Sequence, residues 1–567
     1  MSGNKMNVVL CWHMHQPQYR DTASGVYQLP WTYLHAMKDY VDMAAILEAH
    51  EDASAVVNFA PILLEQIDDY AQQLAGFLSH GESIHDPLLA ALASPTLPNH
   101  TEQKLELVRQ CTRANELRLI TPNEDYARLV DIARKIDEEP AMLHYLNDQF
   151  IVDMLVWYHL VWIAEDAHRN DPDVHALVEK GRDYTVHDRQ QLVGIISKLV
   201  SSIIPRYKAL AEQGRVELSM NPYAHPIVPL LLDLTSTYDA MPDADLPGAR
   251  RYPNGEQRAC WHIEEGLAVF EKYFGLRPAG CWPSEGSVSS ETMNILGRYQ
   301  LRWAATGESV LRNSMNALHR SEEIDSQHGL YKPYTVGDSD VACFFRDDGL
   351  SDLIGFTYSD WHADDAVANL VNHIEHIASS CSKPEQHVVS IIMDGENAWE
   401  HYPNNGYYFL NALYDTLANH DTLELTTFSD SLTHDVQPAH MDRLCAGSWV
   451  YGTFSTWIGD PDKNRGWDLL IEAKRAYDVV MSSKHLSDDD RDAATRQLAL
   501  CEGSDWFWWF GDYNPAEAVS DFEHLFRLHI AHLYAILGVE PPEALSHSFT
   551  HGSGSPEQGG AMRRGQA

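Results

Sequence analysis

NVVLCWHMHQP, residues Asn7–Pro17, places a short apolar, β-prone run directly before a polar stretch that ends in proline. Six further runs have the same character: Ala55–Phe59, Arg215–Ser219, Ala279–Trp282, Leu301–Ala305, Val341–Arg346 and His387–Met393. Long stretches with helical periodicity lie between several of them. Strands alternating with helices predict a parallel sheet, either open or closed into a barrel. One gap breaks the rhythm. Residues 60–214 carry helical patterns, as in Glu102–Leu117, Tyr126–Glu138 and Arg189–Glu212, and no convincing strand. This reads as a helical insertion on the loop after the second strand. After about Thr427 only helical patterns remain, at Asn464–Met481, Ser487–Leu500 and Pro515–Leu537, which predicts a helical domain. From Pro541 the chain turns to Gly, Ser, Pro, Gln and Arg, and is expected to be a disordered tail.

The 567 residues carry a net charge of −41. Such a charge repels phosphate backbones and acidic bilayers, so neither nucleic acid nor membrane is an expected partner. It suits a neutral ligand and a well-solvated surface. The eight cysteines are scattered, with no CxxC pair. No long apolar core precedes the first strand, and the apolar stretch Phe150–Ala164 is interrupted by Asp153 and too short to span a bilayer. A reduced, cytoplasmic protein is expected. The GxxxxGK[ST] phosphate loop and the GxSxG elbow are both missing.

In a parallel barrel the side chains at the C-terminal strand ends converge on one mouth. The first strand would bring His13 and His15, two apart and so on the same face. The third brings Glu217, with Asn221, Tyr223 and His225 following; the fourth ends Trp282-Pro283-Ser284-Glu285-Gly286. The sixth ends at Arg346, and the seventh runs into Asp394-Gly395-Glu396-Asn397-Ala398-Trp399. Glu285 and Asp394 are the sharpest pair. Each follows an apolar run, precedes a glycine and has a tryptophan within five residues, a wall that can raise a carboxyl pKa. Two opposed carboxylates are the minimum apparatus for cleaving a glycosidic bond. The plainer reading of either acid alone is a helix cap or a strand-end ion pair.

Fifteen tryptophans support a sugar ligand, since a pyranose face stacks on indole. Trp282, Trp361, Trp399, Trp449, Trp457, Trp506, Trp508 and Trp509 lie in loop-like or motif-like places, whereas Trp157 and Trp162 sit on a helix and read as core. A rival uses the same histidines. An HxH pair ending a first strand can hold zinc, with His13, His15, His225 and Asp394 as the ligand set. The later strands end in no clear further histidine, so neither a metal nor another cofactor is expected.

At these residues the sequence resembles glycoside hydrolase family 57. The resemblance runs from about residue 7 to about residue 535 through five stretches in order: HQP (His15–Pro17), GRVELSMNPYAHPIVPLL (Gly214–Leu231), WPSEGS (Trp282–Ser287), MDGENAW (Met393–Trp399) and GSWVYGTFSTWIGDPDKNRGWDLL (Gly447–Leu470). It implies an α/β fold: an incomplete (β/α)7 barrel over residues 1–430, with the helical insertion at about 60–214, and a C-terminal all-helical domain over 431–540 that contributes to the cleft. Residues 541–567 form the expected tail. It further implies a retaining α-glucan hydrolase of the amylase or amylopullulanase type, with Glu285 as nucleophile and Asp394 as general acid/base. His15 would hold the sugar at the cleavage site, with Glu217 and Glu396 orienting it. His13, His225, Trp282 and Trp399 would be near neighbours, and Trp449 and Trp457 would reach in from the helical domain. A glucanotransferase or branching enzyme would use the same two acids, and a glucan-binding protein without activity need not keep both.

Overall fold

The computed structural model describes residues 5–326, 328–433, 436–483 and 485–554. Seven parallel strands form a ring: β1 Met6–Met14, β2 Ala55–Phe59, β3 Val216–Met220, β4 Gly280–Cys281, β5 Trp303–Gly307, β6 Ala342–Arg346 and β7 Val388–Asp394. They pair in that order, and β7 returns to β1 over seven residue pairs. Between β6 and β7 the ring closes through the single pair Arg346–Ser390. This is the (β/α)7 barrel that the family resemblance implies; the alternation of runs leaves an open sheet as an alternative, and the strand ends lie within one or two residues of the runs.

Each strand is buried on both faces, outward against helices and inward against the other strands. The period of two separates the two sets. Val9, Cys11, Val56, Trp303, Ala305, Phe344, Val388 and Ile392 form the interior cluster, while Val8, Leu10, Trp12 and Met14 join the outer core. Pairing register stacks the interior in layers. Cys11, Val56 and Glu217 form one layer, and His13, Asn58 and Ser219 form the next toward the C-terminal strand ends, with Asp394 beside His13.

The insertion between β2 and β3 is helical throughout, from Pro61–His80 to Val186–Glu212. Its helices begin where sequence chemistry dictates. Asp86 accepts from the backbone N–H groups of Leu88 and Leu89, and Thr185 with Asp188 forms a reciprocal capping box. Beyond the barrel come the helices Pro461–Ser483, Asp488–Cys501, Asp505–Trp509 and Ala516–Leu537.

Two expectations about this region need correction. A short strand, Ala439–Met441, pairs with Tyr334–Val336 where only helix was expected. The stretch read as a tail packs over residues 541–554: Phe549 meets the rings of Phe510 and Phe526, and the Thr550 hydroxyl donates to Asp462. One aromatic residue anchors a polar, glycine-rich segment that composition alone marks as disordered. Residues 555–567 lie outside the described residues. Among the described residues no helix is long and apolar enough to cross a membrane.

Candidate active site

A cleft of about 640 Å³ opens at the C-terminal strand ends. The barrel supplies His13, His15, Glu285, Arg346, Asp394 and Glu396 to its wall. Trp31 and His35 come from the segment after β1, Arg113 and Trp162 from the insertion, and Trp449, Asp505, Trp508 and Trp509 from the C-terminal part. An apolar and aromatic surface with a few convergent polar groups is what a sugar site requires.

Glu285 has a left-handed backbone, φ 58° and ψ 28°, and is followed by Gly286 at φ 56°. Two consecutive residues in this region are costly for a glutamate and are tolerated where surrounding structure holds them. Here the Trp449 backbone N–H donates to the Glu285 carbonyl (3.3 Å) and the Trp449 indole N–H donates to Glu285 Oε2 (3.2 Å). A Cβ on Gly286 would lie 3.1 Å from both Trp282 and Trp449, and one on Gly307 only 2.7 Å from the Trp449 Cα. The glycines therefore admit the Trp449 loop against the acid.

Asp394 ends β7 and accepts from the Asn397 amide (3.1 Å). Burial pushes its pKa up to about 6, against the opposing effects of Asn397, His15 and Arg346. The glycine after it serves a different purpose from Gly286. Gly395 has no positive φ, but a Cβ there would lie 2.2 Å from the Met14 sulfur. Glu396 is buried and raised well above the usual carboxyl range, first by burial and then by the Asp394 charge. Its Oε1 accepts from Gln16 (3.2 Å), and its Oε2 has no protein partner.

Three imidazoles stack beside these acids. His15 and His225 lie face to face with centroids 3.8 Å apart, and His13 is 5.6 and 5.3 Å from them. Each is tethered. His13 Nδ1 donates to Asn58 Oδ1 (2.8 Å), and Asn58 in turn donates to Ser219 (3.0 Å). His15 Nε2 donates to Asp505 Oδ1 (2.8 Å), and His225 Nδ1 pairs with the Ser504 hydroxyl (2.8 Å). Burial, with the neighbouring imidazoles, pulls His13 down to about 3 and His225 well below the ordinary histidine value. Both are therefore neutral, as hydrogen-bond partners for sugar hydroxyls should be. His15 Nδ1 and His225 Nε2 are buried and have no protein partner.

The metal reading is answered by ring geometry. His15, His225 and Asp505 bring one potential ligand atom each within 4.8 Å of one another. The two imidazole planes, however, are stacked and only 16° from parallel. In-plane lone pairs on stacked rings do not converge on one ion, so this donor set does not fit a shared metal. Asp394 does not belong to it.

Of the residues read from sequence, His13, His15, Glu285, Asp394, Glu396 and Trp449 meet at the cleft. His225 and Trp282 stand one step behind, Trp282 packing edge-on against Trp449 and near His13. Three do not reach it. Glu217 faces the barrel interior, as its parity requires, but one layer below the mouth, where Trp303 and Ser429 donate to its carboxylate. Trp399 turns outward into a core of Trp12, Tyr402 and Phe409. Trp457 is fully buried beside Trp508. Trp162, read as core, lines the cleft from the helix end at Val161. Asp505 lies outside the strand-end argument, and its signal in the sequence is an acid opening the run DWFWW between turn residues.

The model of glycosyl hydrolase family 57 matches residues 9–444. No curated protein sequence matches the chain. The fold is similar to that of a GH57 branching enzyme from Thermococcus kodakaraensis, at TM-score 0.57 and 14% identity, over 94% of this chain and 90% of that one. It is similar to a GH57-type branching enzyme from Pyrococcus horikoshii, at 0.55 and 14%, over 96% of each chain. A third similar structure is the α-amylase AmyC from Thermotoga maritima, at 0.53 and 14%, over 94% and 93%. The chain belongs to glycosyl hydrolase family 57.

Proposed function

We propose that the cleft is the active site of a retaining enzyme of α-glucans. The observation that carries this reading is the meeting of Glu285 and Asp394 in one aromatic-walled cleft, with Asp394 raised to about 6 and two neutral histidines beside them. Glu285 attacks the anomeric carbon as Asp394 gives its proton to the departing glycosidic oxygen. This leaves a glucosyl ester on Glu285 and a carboxylate at Asp394. Asp394 then takes the proton of an incoming hydroxyl, whose oxygen attacks the same carbon and releases Glu285. Two inversions restore the α configuration. His15, held by Asp505, presents its unpartnered Nδ1 to a hydroxyl of the bound sugar.

The glucan class is supported by the family and by the named activities of the similar structures, branching enzymes and an α-amylase. Water as the incoming hydroxyl makes the protein an amylase or amylopullulanase, the reading that the WPSEGS and DGENAW forms favour. A sugar hydroxyl would make it a glucanotransferase or branching enzyme. A product profile on maltoheptaose, with Glu285→Gln as control, tests both. Shorter products alone, lost in the variant, are expected. Longer products beside shorter ones would move the protein to the transferases, and full turnover by Glu285→Gln would refute the assignment of the nucleophile.

A further inference from the structure

The wall of the cleft that carries Asp394 also holds a second polar group, one that the two-acid chemistry does not use. His35 Nδ1 donates to Asp39 Oδ2 (2.7 Å), which turns Nε2 toward the cleft side of the ring, and Nε2 stands 3.7 Å from Glu400 Oε1. That distance is too long for a hydrogen bond between the two. Both residues line the cleft, yet His35 is only 6% exposed.

A single buried cation fixes both halves. Lys38, on a π-helical turn spanning Ala36–Tyr40, pairs with Asp39 behind His35. Its ammonium also donates to Asn405 Oδ1 (2.8 Å), and Asn405 donates to Asp42 (2.8 Å). That asparagine, at φ 53°, closes the loop that leaves the Trp399–His401 turn carrying Glu400. A π-turn with a lysine buried in it is an expensive way to hold a histidine unless its orientation matters. Two indoles flank the pair. His35 meets Trp162 edge-on at 5.5 Å and Trp31 at 6.5 Å, and both rings line the cleft.

Position relative to the acid gives the pair a task. A general acid protonates the leaving oxygen, so the departing sugar lies on the acid's side of the broken bond. Glu400 is six residues beyond Asp394 on the same loop, and Asp39 and Asp394 both act on the charge of the intervening Glu396. We propose that His35 and Glu400 form the binding site for the sugar next to the scissile bond, the leaving sugar in cleavage and the acceptor in transfer. One of its hydroxyls would hydrogen-bond with His35 Nε2 and a second would donate to the Glu400 carboxylate, with the ring against Trp31 or Trp162. The inference rests on the two-acid reading of the cleft.

Two substrates separate it from that reading: maltotetraose, which places a sugar beyond the scissile bond, and α-maltosyl fluoride, which places none. His35→Asn keeps a donor for Asp39 and deletes Nε2; Glu400→Gln is the milder partner. Each variant is expected to shift the ratio of kcat/KM on maltotetraose to kcat/KM on the fluoride downward by about tenfold to a hundredfold, chiefly through KM. An unchanged ratio, whether both constants fall together or neither falls, would overturn the inference. Failure of the wild-type protein to consume the fluoride would instead refute the two-acid reading.

Discussion

Glu502, where the barrel meets the C-terminal helices, and Asp394, at the barrel mouth, are both acids shut away from water, and their surroundings drive them in opposite directions. Burial raises the pKa of each. At Glu502 the Arg258 guanidinium donates to both oxygens (2.9 and 2.8 Å), His262 donates at 2.8 Å and the Tyr252 hydroxyl completes the set. Against burial these partners hold the carboxyl down at about 2, with Arg258 contributing most. At Asp394 burial prevails and the group rises to about 6. In and behind the cleft wall, buried polar atoms of His15, His225, Trp282 and Glu396 have no protein partner, whereas the Glu502 cluster has satisfied every oxygen. One cluster is complete and holds the molecule together. The other keeps unspent hydrogen-bonding capacity that a ligand can use.

The comparison can be tested at both ends. The largest effect is expected for Asp394→Asn, which should lower kcat/KM on maltooligosaccharides by about 10²–10⁴ without lowering the unfolding midpoint. In the wild-type protein kcat/KM should fall as pH rises through about 6, because the proposed mechanism needs the acid protonated. A pH profile of the wild type that stays flat between pH 5 and 8 would remove Asp394 from this role.

Next comes Glu502→Gln, which leaves Arg258 buried beside a neutral amide. A loss of about 3–5 kcal/mol is expected in urea unfolding at neutral pH, with kcat on glucans changing far less. The sign of its pH dependence follows from the depressed value. The stabilisation by Glu502 is fully present above the ordinary glutamate value of 4.5 and is lost as pH falls toward about 2. The gap between wild type and variant should therefore narrow below pH 4.5, and a gap that widens there would contradict the assignment. Smallest is Trp449→Phe. It keeps the ring against Trp282 and removes the indole N–H from Glu285, so about a tenfold loss of kcat with little change in stability is expected. Calorimetry beside the kinetics would show whether that side chain belongs to the packed cluster instead.

Particular residues show how far the site was legible. His13 and Asp394 were readable because an apolar strand with period two must point its next inward residue at the mouth. Glu217 had the right parity but the wrong depth. Parity is a local property, while depth depends on the register against Val56 and on Ser429 approaching from the other end of the barrel. Trp399 and Trp162 were misread in opposite senses for one reason, since the direction of a large ring at an element's end is set by what packs on it. His35 carried no signal in the linear order, because its partner Glu400 lies 365 positions away in the chain.

The sequence by itself determined the seven strands, the helical insertion, the helical C-terminal part, both acids and the first two histidines, because side-chain period and turn chemistry act over a few neighbouring residues. Tertiary structure alone decided that Asp505 holds His15 from 490 residues away and that Trp449 donates to Glu285. It alone decided that His15 and His225 stack instead of chelating. It also drove the pKa values of the two buried acids, Glu502 and Asp394, in opposite directions. Burial and hydrogen-bond partners decide those outcomes, and both are properties of the packed chain.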